Sequence, residues 1–484
     1  MLIKIASRKS DLARLQAYIV AEELKEAFHE VNIEHLFSAS FGDLNPDIPL
    51  DQMPTKGAFT EDFKEGIKNR EFDLVVHSWK DLPTDLPKDS LLFTLKREDP
   101  RDLLIIRKDS IQKRDLKVLT SSPRRIHHIE PFIKSYFPHK IDTVECPEVR
   151  GNIPTRLKKL IQKEGDALIM AKAALDRLLT AKKEEFAEVK KELREYLDLC
   201  QFMVLPLAEF PTAAAQGALA IEVHKDNHEI IALLEKIHCP QTFKNVKRER
   251  ELLKSFGGGC HQKLGMTSIP HECGDYFSVS GETPSREAIK SLELIGQKNN
   301  SSLKISRDEI FEDPKFFKRK KIEVDIRESD LYIAKDYALP DNFTQGEKLI
   351  ATSGLSSWKK LAAKGLWVTC SSESLGEEYG RNIEVLLNRS IKWTKLSHSH
   401  APGKKIATYE LVPLKEQPDL SGKKYFYWMS GSQFELALSN NPELTKAFHA
   451  CGPGNTRSTI LKYIPSENLE IYLSYDQWYQ SKIG

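Results

Sequence analysis

The chain has 484 residues, 40% of them hydrophobic and 29% charged, with a formal net charge of +2. That length suggests about three domains, with four possible, at roughly 100–200 residues each, and the near-neutral charge disfavours bulk binding to nucleic-acid phosphates. No apolar run approaches the roughly 18 residues of a membrane span; the seven cysteines contain no CxxC pair, so neither a disulfide framework nor a metal site is indicated and a reducing compartment, the cytoplasm, is expected.

Leu2-Ile3-Lys4-Ile5-Ala6 reads as a strand and not as a basic leader ahead of an apolar core. A helix follows over Asp11–Phe28, with Leu12, Leu15, Ile19, Leu24 and Phe28 on one face. After a proline-rich stretch, Lys56-Gly57-Ala58-Phe59 reads either as a mobile loop able to close over a cleft or as plain surface. Phe72–Val76 is a buried strand ending at His77-Ser78-Trp79-Lys80-Asp81, and further strands are expected at Leu103–Ile106, Leu116–Leu119 and Ala167–Ala171. Strands alternating with helices predict parallel α/β sheets, whose ligands gather beyond the carboxyl ends of the strands. Ser7-Arg8-Lys9-Ser10, Lys80-Asp81 and Thr120–Arg125 all lie at such ends.

Two basic segments open helices. Ser122 reads as an N-cap with Pro123 as the first helical residue, ahead of Arg124 and Arg125. Pro154 plays that part after Arg150-Gly151-Asn152, with Leu157, Leu160 and Ile161 at helical spacing beyond Arg156. Cations in a first turn oppose the helix dipole at about a few tenths of a kcal/mol each; a bound anion reverses the sign. Asp81 beside Lys80 is either a surface ion pair or a lone carboxylate placed to stabilise a cation that forms during reaction.

Residues 181–199 are highly charged and read as an exposed helix, after which Gln216-Gly217 returns the chain to the apolar Ala218–Ile221. A helix from Asn245 to Phe256 runs into Gly257-Gly258-Gly259-Cys260, where glycines permit close approach of the backbone. That thiol is either a small residue in a tight turn or an attachment point. A β-rich stretch follows near Phe277–Ser280, and Lys315–Lys321 reads as a solvated linker or helix face. Five of the six tryptophans lie past Leu339, which marks that part as a separate domain.

In this order the segments resemble porphobilinogen deaminase over about residues 1–300: Ser7–Ser10 with Leu12, Ala13 and Gln16; Gly42-Asp43; Lys56-Gly57 with Phe59; His77–Asp81; Arg97–Asp102; Thr120–Arg125; Arg150-Gly151-Asn152 with Thr155-Arg156; Gln216-Gly217-Ala218; and Gly258-Gly259-Cys260. The resemblance implies head-to-tail condensation of four porphobilinogens, with loss of ammonia, into hydroxymethylbilane. It implies a dipyrromethane cofactor attached through Cys260, with Lys56, Asp43, Ser78, Thr120, Ser121, Ser122, Arg124 and Arg125 around it. Asp81 would stabilise the azafulvenium cation with Lys80 beside it, and Arg8, Ser10, Gln16, Arg150, Arg156 and Arg177 would bind substrate. The implied fold has two periplasmic-binding-protein-like, doubly wound α/β domains (1–98 with 202–220, and 99–201), then an α+β domain at 221–310 bearing the cysteine. A 311–338 linker and a C-terminal α/β domain at 339–484 complete the expected division. A monomer is expected, with porphobilinogen and the growing polypyrrole as its partners and neither nucleic acid nor membrane.

Several positions depart from the family pattern: Phe41 for a basic residue, Trp79 for a small aliphatic or methionine, Leu119 and Ala215 for glycines, Pro54-Thr55 for a glycine pair before Lys56, and Lys263 near the place of a proline after the cysteine. The last domain resembles part of uroporphyrinogen-III synthase at Gly365–Thr369, Ser374–Glu377, Thr408–Leu411, Phe426–Ser432 and Cys451–Thr456, although 339–484 is short for the two domains of that family. Two readings of it stand open: a synthase that closes the deaminase product, or a degenerate module for stability or handover. For the whole chain the contrasting class is a non-catalytic carboxylate receptor, which would need neither Asp81 nor Cys260.

Overall fold

The computed structural model describes residues 1–38, 61–85, 87–258, 262–297, 305–311 and 315–483. The first sheet contains β1 (Leu2–Arg8), β2 (Asn32–Ser38), β3 (Leu74–Ser78), β4 (Ser90–Phe93) and β10 (Leu219–His224), in the order β2-β1-β3-β10-β4. The second contains β5 (Asp102–Arg107), β6 (Asp115–Leu119), β7 (Thr143–Glu145), β8 (Ala167–Ala171) and β9 (Cys200–Val204), in the order β7-β6-β8-β5-β9. Alternation along β5 sends Leu104 and Ile106 to one core and Leu103 and Ile105 to another, so both faces of that sheet are covered.

The sheets are mixed and not purely parallel. β1 runs parallel to β2 and β3, while β10 is antiparallel to β3 and β4, and β5 is antiparallel to β8 and β9. Connectivity is the reason. The chain leaves the first sheet after β4, enters the second at β5, and returns from β9 to β10, which gives two crossovers at 94–101 and 205–218. Sheet membership therefore departs from the expected boundaries: β9 belongs to the second sheet up to Val204, and β10 to the first up to His224. The charged 181–199 segment does form a helix, Ala187–Asp198, but it buries Leu193 and Leu197 in the core of the second sheet and is not wholly exposed.

A third, antiparallel sheet comprises β11 (Gly265–Ile269), β12 (Asp275–Glu282) and β13 (Ala288–Ile295). Against it packs the helix Pro240–Ser255, which begins earlier than its apolar pattern suggests because Pro240 occupies the first helical turn.

The span expected to be a linker, 311–338, instead carries sheet. β14 (Ile310–Phe311) opens a four-stranded sheet completed by β21 (Tyr425–Trp428), β22 (Phe448–Cys451) and β23 (Leu469–Ile471). Between them lies a six-stranded sheet in the order β15-β20-β19-β16-β17-β18. Its strands are β15 (Phe317–Lys321), β16 (Asp330–Ile333), β17 (Leu349–Thr352), β18 (Cys370–Ser371), β19 (Thr394–His398) and β20 (Lys405–Pro413). The basic run 315–321 is thus an edge strand, where lysines oppose pairing with another chain. The C-terminal region holds two sheets because it starts earlier than its tryptophan-rich part.

Candidate active site

β3 ends in a short turn, Trp79–Asp81, that presents Lys80 half-buried and Asp81 exposed. Trp79 turns the other way, packing on Phe243 at 5.5 Å between ring centres and into a core with Ala215, Ala218 and Val246. The departure at Trp79 therefore lies behind the turn. From the second sheet, the helix Pro123–Tyr136 carries Arg124 and Arg125 in its first turn, with Ser122 as the N-cap accepting from the Arg125 N–H.

Both arginines converge on a residue that the sequence pattern does not single out, Asp102. Arg124 Nη2 lies 2.8 Å from its Oδ2 and Arg125 Nη2 lies 2.7 Å from its Oδ1, and the carboxylate is fully buried. Gln216 Nε2 adds a third donor at 2.9 Å and also reaches the Pro100 carbonyl at 2.7 Å. Burial alone would push the Asp102 carboxyl up, but Arg125 and Arg124 hold it well below the usual carboxylate range. Two guanidiniums face one carboxylate, so a net positive charge remains. Arg124 Nε is buried without a partner among the described residues.

Lys80 belongs to the same cluster. Burial lowers its pKa, Arg125 and Arg124 push in the same direction, and Asp81 and Asp102 oppose them. Arg156, in the first turns of the helix Ile153–Ile161, is lowered by burial and by Arg125 and raised by Asp81. Lys80, Asp81, Asp102, Arg124, Arg125 and Arg156 thus act on one another electrostatically across two sheets.

The remaining expected site residues divide. Gln16 and Ser78 pair with each other at 2.9 Å. Ser10 caps the helix Asp11–Ala27, Thr120 Oγ1 accepts from the Ser122 N–H, and Ser121 Oγ donates to the Val149 carbonyl at 2.6 Å. Arg8 ends β1, and Arg150 contacts Glu148 at 2.9 Å. Arg177 is buried, with Nε on Glu98 at 2.9 Å and Nη2 on the Gly217 carbonyl at 2.8 Å. Those contacts tie the two crossovers together, so Arg177 braces them in this structure. Lys56, Asp43, Phe41 and Cys260, with the 56–59 loop, lie outside the described residues.

The donors present nonetheless fit a dipyrromethane, whose rings bear carboxylates. Gly258, two residues before Cys260 in sequence, adopts φ +67, and a β-carbon there would stand 3.1 Å from Thr84 Oγ1, three residues after Asp81. Arg250, on the helix leading to that glycine, donates to the carbonyls of Trp79 at 3.1 Å and Leu82 at 3.0 Å. The helix that delivers the cysteine segment is bolted to the aspartate turn. Among the described residues no group of three or more His, Cys, Asp or Glu is placed to hold a metal, and no helix is long and apolar enough to cross a membrane.

A family model for the dipyrromethane-cofactor-binding domain of porphobilinogen deaminase matches residues 3–232. A porphobilinogen deaminase from a Nostoc species is 35% identical over 274 residues, 55% of this chain and 77% of its own length. The chain belongs to the porphobilinogen deaminase family. A second deaminase, from Synechococcus elongatus, is 32% identical over 332 residues, covering 64% of this chain and 95% of its own. A probable amino-acid ABC transporter extracellular-binding protein from Bacillus subtilis covers 52% of this chain and 97% of its own, at 9% identity and a TM-score of 0.28, too loose a superposition to argue from.

Proposed function

We propose that Asp81, with Lys80 beside it, performs the family's ammonia-losing chemistry on this chain, and that the surrounding cations hold the acid groups of substrate. The reaction joins four porphobilinogens head to tail into hydroxymethylbilane. The mutual electrostatic influence of Lys80, Asp81, Asp102, Arg124, Arg125 and Arg156 supports this reading, because segments distant in sequence meet around one carboxylate that is exposed. Bound through Cys260, dipyrromethane supplies the primer to which substrate units are joined. Asp81 accepts pyrrole N–H groups, and positive charge developing on substrate as ammonia leaves finds its counter-charge there. Arg156, Lys80 and the excess charge of the Arg124–Arg125–Asp102 cluster bind acetate and propionate side chains. A plain receptor has no use for a lone carboxylate among cations. The reading takes the chain as a cytoplasmic monomer that acts without nucleic acid or membrane.

Intact mass and turnover test it. Protein made in a porphobilinogen-producing host should carry the mass of two pyrrolic units, absent from Cys260→Ser. Asp81→Ala should keep that mass and lose turnover by at least about 100-fold, the scale of removing a preorganised charge-stabilising group. Normal hydroxymethylbilane production by Asp81→Ala would refute the assignment.

One observation favours a second activity in the C-terminal region. Parallel strands of both C-terminal sheets end in Ser/Gly turns, and the turns meet: a β-carbon on Gly454, after β22, would stand 3.5 Å from the Ser374 carbonyl and 3.8 Å from the Gly376 nitrogen, after β18. Such turns present backbone N–H groups to carboxylates. In the reading that follows, the region closes the linear product to uroporphyrinogen III. Full-length protein supplied with porphobilinogen should then yield the III isomer; the I isomer alone would leave only a structural or handover role.

A further inference from the structure

Residues 371–382, which begin on the last residue of β18, touch every sheet system of the molecule's second half and both crossovers of its first. Leu207 and Ala208, in the 205–218 crossover, donate their backbone N–H groups to Glu373 Oε1 and Oε2 at 2.9 Å each. Arg101, closing the 94–101 crossover, donates to the Gly380 carbonyl at 2.9 Å and to Asn382 Oδ1 at 3.2 Å. From the third sheet, Tyr276 donates its hydroxyl to Glu373 Oε2 at 3.2 Å, and His271 Nε2 lies 2.8 Å from the Leu375 carbonyl. On the C-terminal side, the Ser374 N–H donates to the Ser353 carbonyl at 2.7 Å, and Lys395 Nζ and Asn455 Nδ2 reach Glu377 Oε1 at 2.8 Å and 2.5 Å.

The backbone records how tightly this segment is held. Glu373 and Ser374 adopt φ of +50° and +63°, a left-handed conformation that costs a residue with a β-carbon about 1–2 kcal/mol. Consecutive strained residues persist only where their surroundings over-determine them. Here the surroundings are the two crossovers themselves. Any change in the angle between the first and second sheets has to be absorbed by backbone rotation at 94–101 and 205–218, and both are fastened to one C-terminal segment. The edge of β9 is joined as well, through the Val204 N–H to the Thr369 carbonyl at 2.8 Å.

We propose that residues 371–382 form a clasp on the deaminase hinge, which sets how far the groove between the first two sheets opens as successive units are added. The C-terminal region is then a working part of the first reaction, whatever it does to the product. The proposal rests on that groove being the deaminase site. A growing chain occupies more of the groove at each step, so the clasp resists the later additions more than the first.

The holoenzyme is supplied with limiting porphobilinogen, and the covalent complexes carrying one, two and three added units are resolved by intact mass. Asn382→Ala removes one of the two bonds by which Arg101 holds the segment, at an exposed residue, and Glu373→Ala removes both bonds to the other crossover. With the clasp loosened, the later additions gain more than the first, so the share of two- and three-unit complexes relative to the one-unit complex should rise about threefold in the double variant, an effect within the usual range for coupling mutations. An unchanged distribution, or equal slowing of every addition, overturns the clasp. If Glu373→Ala fails to fold, Asn382→Ala decides alone, with a smaller shift in the same direction expected and none counting against the proposal. Asp81→Ala tests the groove separately: residual wild-type turnover there refutes the site, whereas a null result in the clasp variants leaves Asp81 untouched.

Discussion

The two regions of this molecule bury charge in different ways. In residues 1–258, beside separate buried pairs such as Arg97 with Glu249 and Arg101 with Asp99, one cluster converges: Asp102 takes two arginines, and their influence reaches Lys80 on the neighbouring sheet. In residues 305–483 no such cluster is seen among the described residues, and pairs with one buried partner stand apart: exposed Arg389 meets buried Asp330, and buried Lys395 and Lys482 meet Glu377 and Glu470. The cores there are aromatic instead, with Phe426 stacked on Trp428 at 5.4 Å and Phe311, Phe316 and Phe434 packed about them. A concentrated, mutually opposed set of charges is expensive to bury and persists where a ligand uses it. Isolated pairs satisfy each other. The first region gathers charge around the Asp81 turn, whereas the second is organised around its own packing.

The contrast would be sharpest if the regions were independent, and the interface says they are not. Trp358 is fully buried in a core shared by both regions, edge-on to Phe132 at 5.9 Å and Tyr136 at 5.5 Å, with its indole N–H on the Tyr136 carbonyl at 3.2 Å. Trp358→Ala leaves a large cavity and is expected to cost about 3–5 kcal/mol. Calorimetry should show one transition in the wild type, moved down as a whole in the variant. A variant in which the C-terminal region melts alone while the deaminase transition stays in place would restore the picture of two separate modules.

The same contrast governs what could be read from the sequence. Ser122, Pro123 and Asn152 announce helix starts because capping is local, and β5 and β8 carry continuous apolar runs. The motif residues around Lys80 and Arg124 were legible because their charge patterns are compact. Asp102 was not, although it sits in a quoted motif, because its partners Arg124 and Arg125 lie on another element and no local spacing links them. The partners of Arg177 were equally hidden: an arginine on a helix gives no sign that Glu98 and the Gly217 carbonyl are brought against it by the crossovers. β14, only two residues long, becomes a strand solely by pairing with β21, more than a hundred residues later. Polar contacts made by tertiary approach leave no trace in periodicity.

A smaller test lies within one turn. Ala215 and Gly217 both have positive φ, +68° and +87°, and flank the Gln216 that donates to Asp102. At Gly217 the neighbour is backbone: a β-carbon would stand 2.9 Å from the Glu98 carbonyl oxygen, and neither crossover can shift without loosening Arg177. Gly217→Ala should therefore cost about 2 kcal/mol or more, combining left-handed strain with a backbone clash. Ala215 already carries its methyl in a core with Trp79, Ala218 and Val246, and is fully buried. Ala215→Gly would relieve about 1–2 kcal/mol of strain, while losing roughly 0.8 kcal/mol of methyl burial and about 0.4–1 kcal/mol through the freer unfolded chain. The three terms nearly cancel, so urea unfolding should place this variant within about 0.5 kcal/mol of wild type. A clear gain would mean that the methyl contributes little packing. A clear loss would make the alanine a fixed part of the wall behind Trp79.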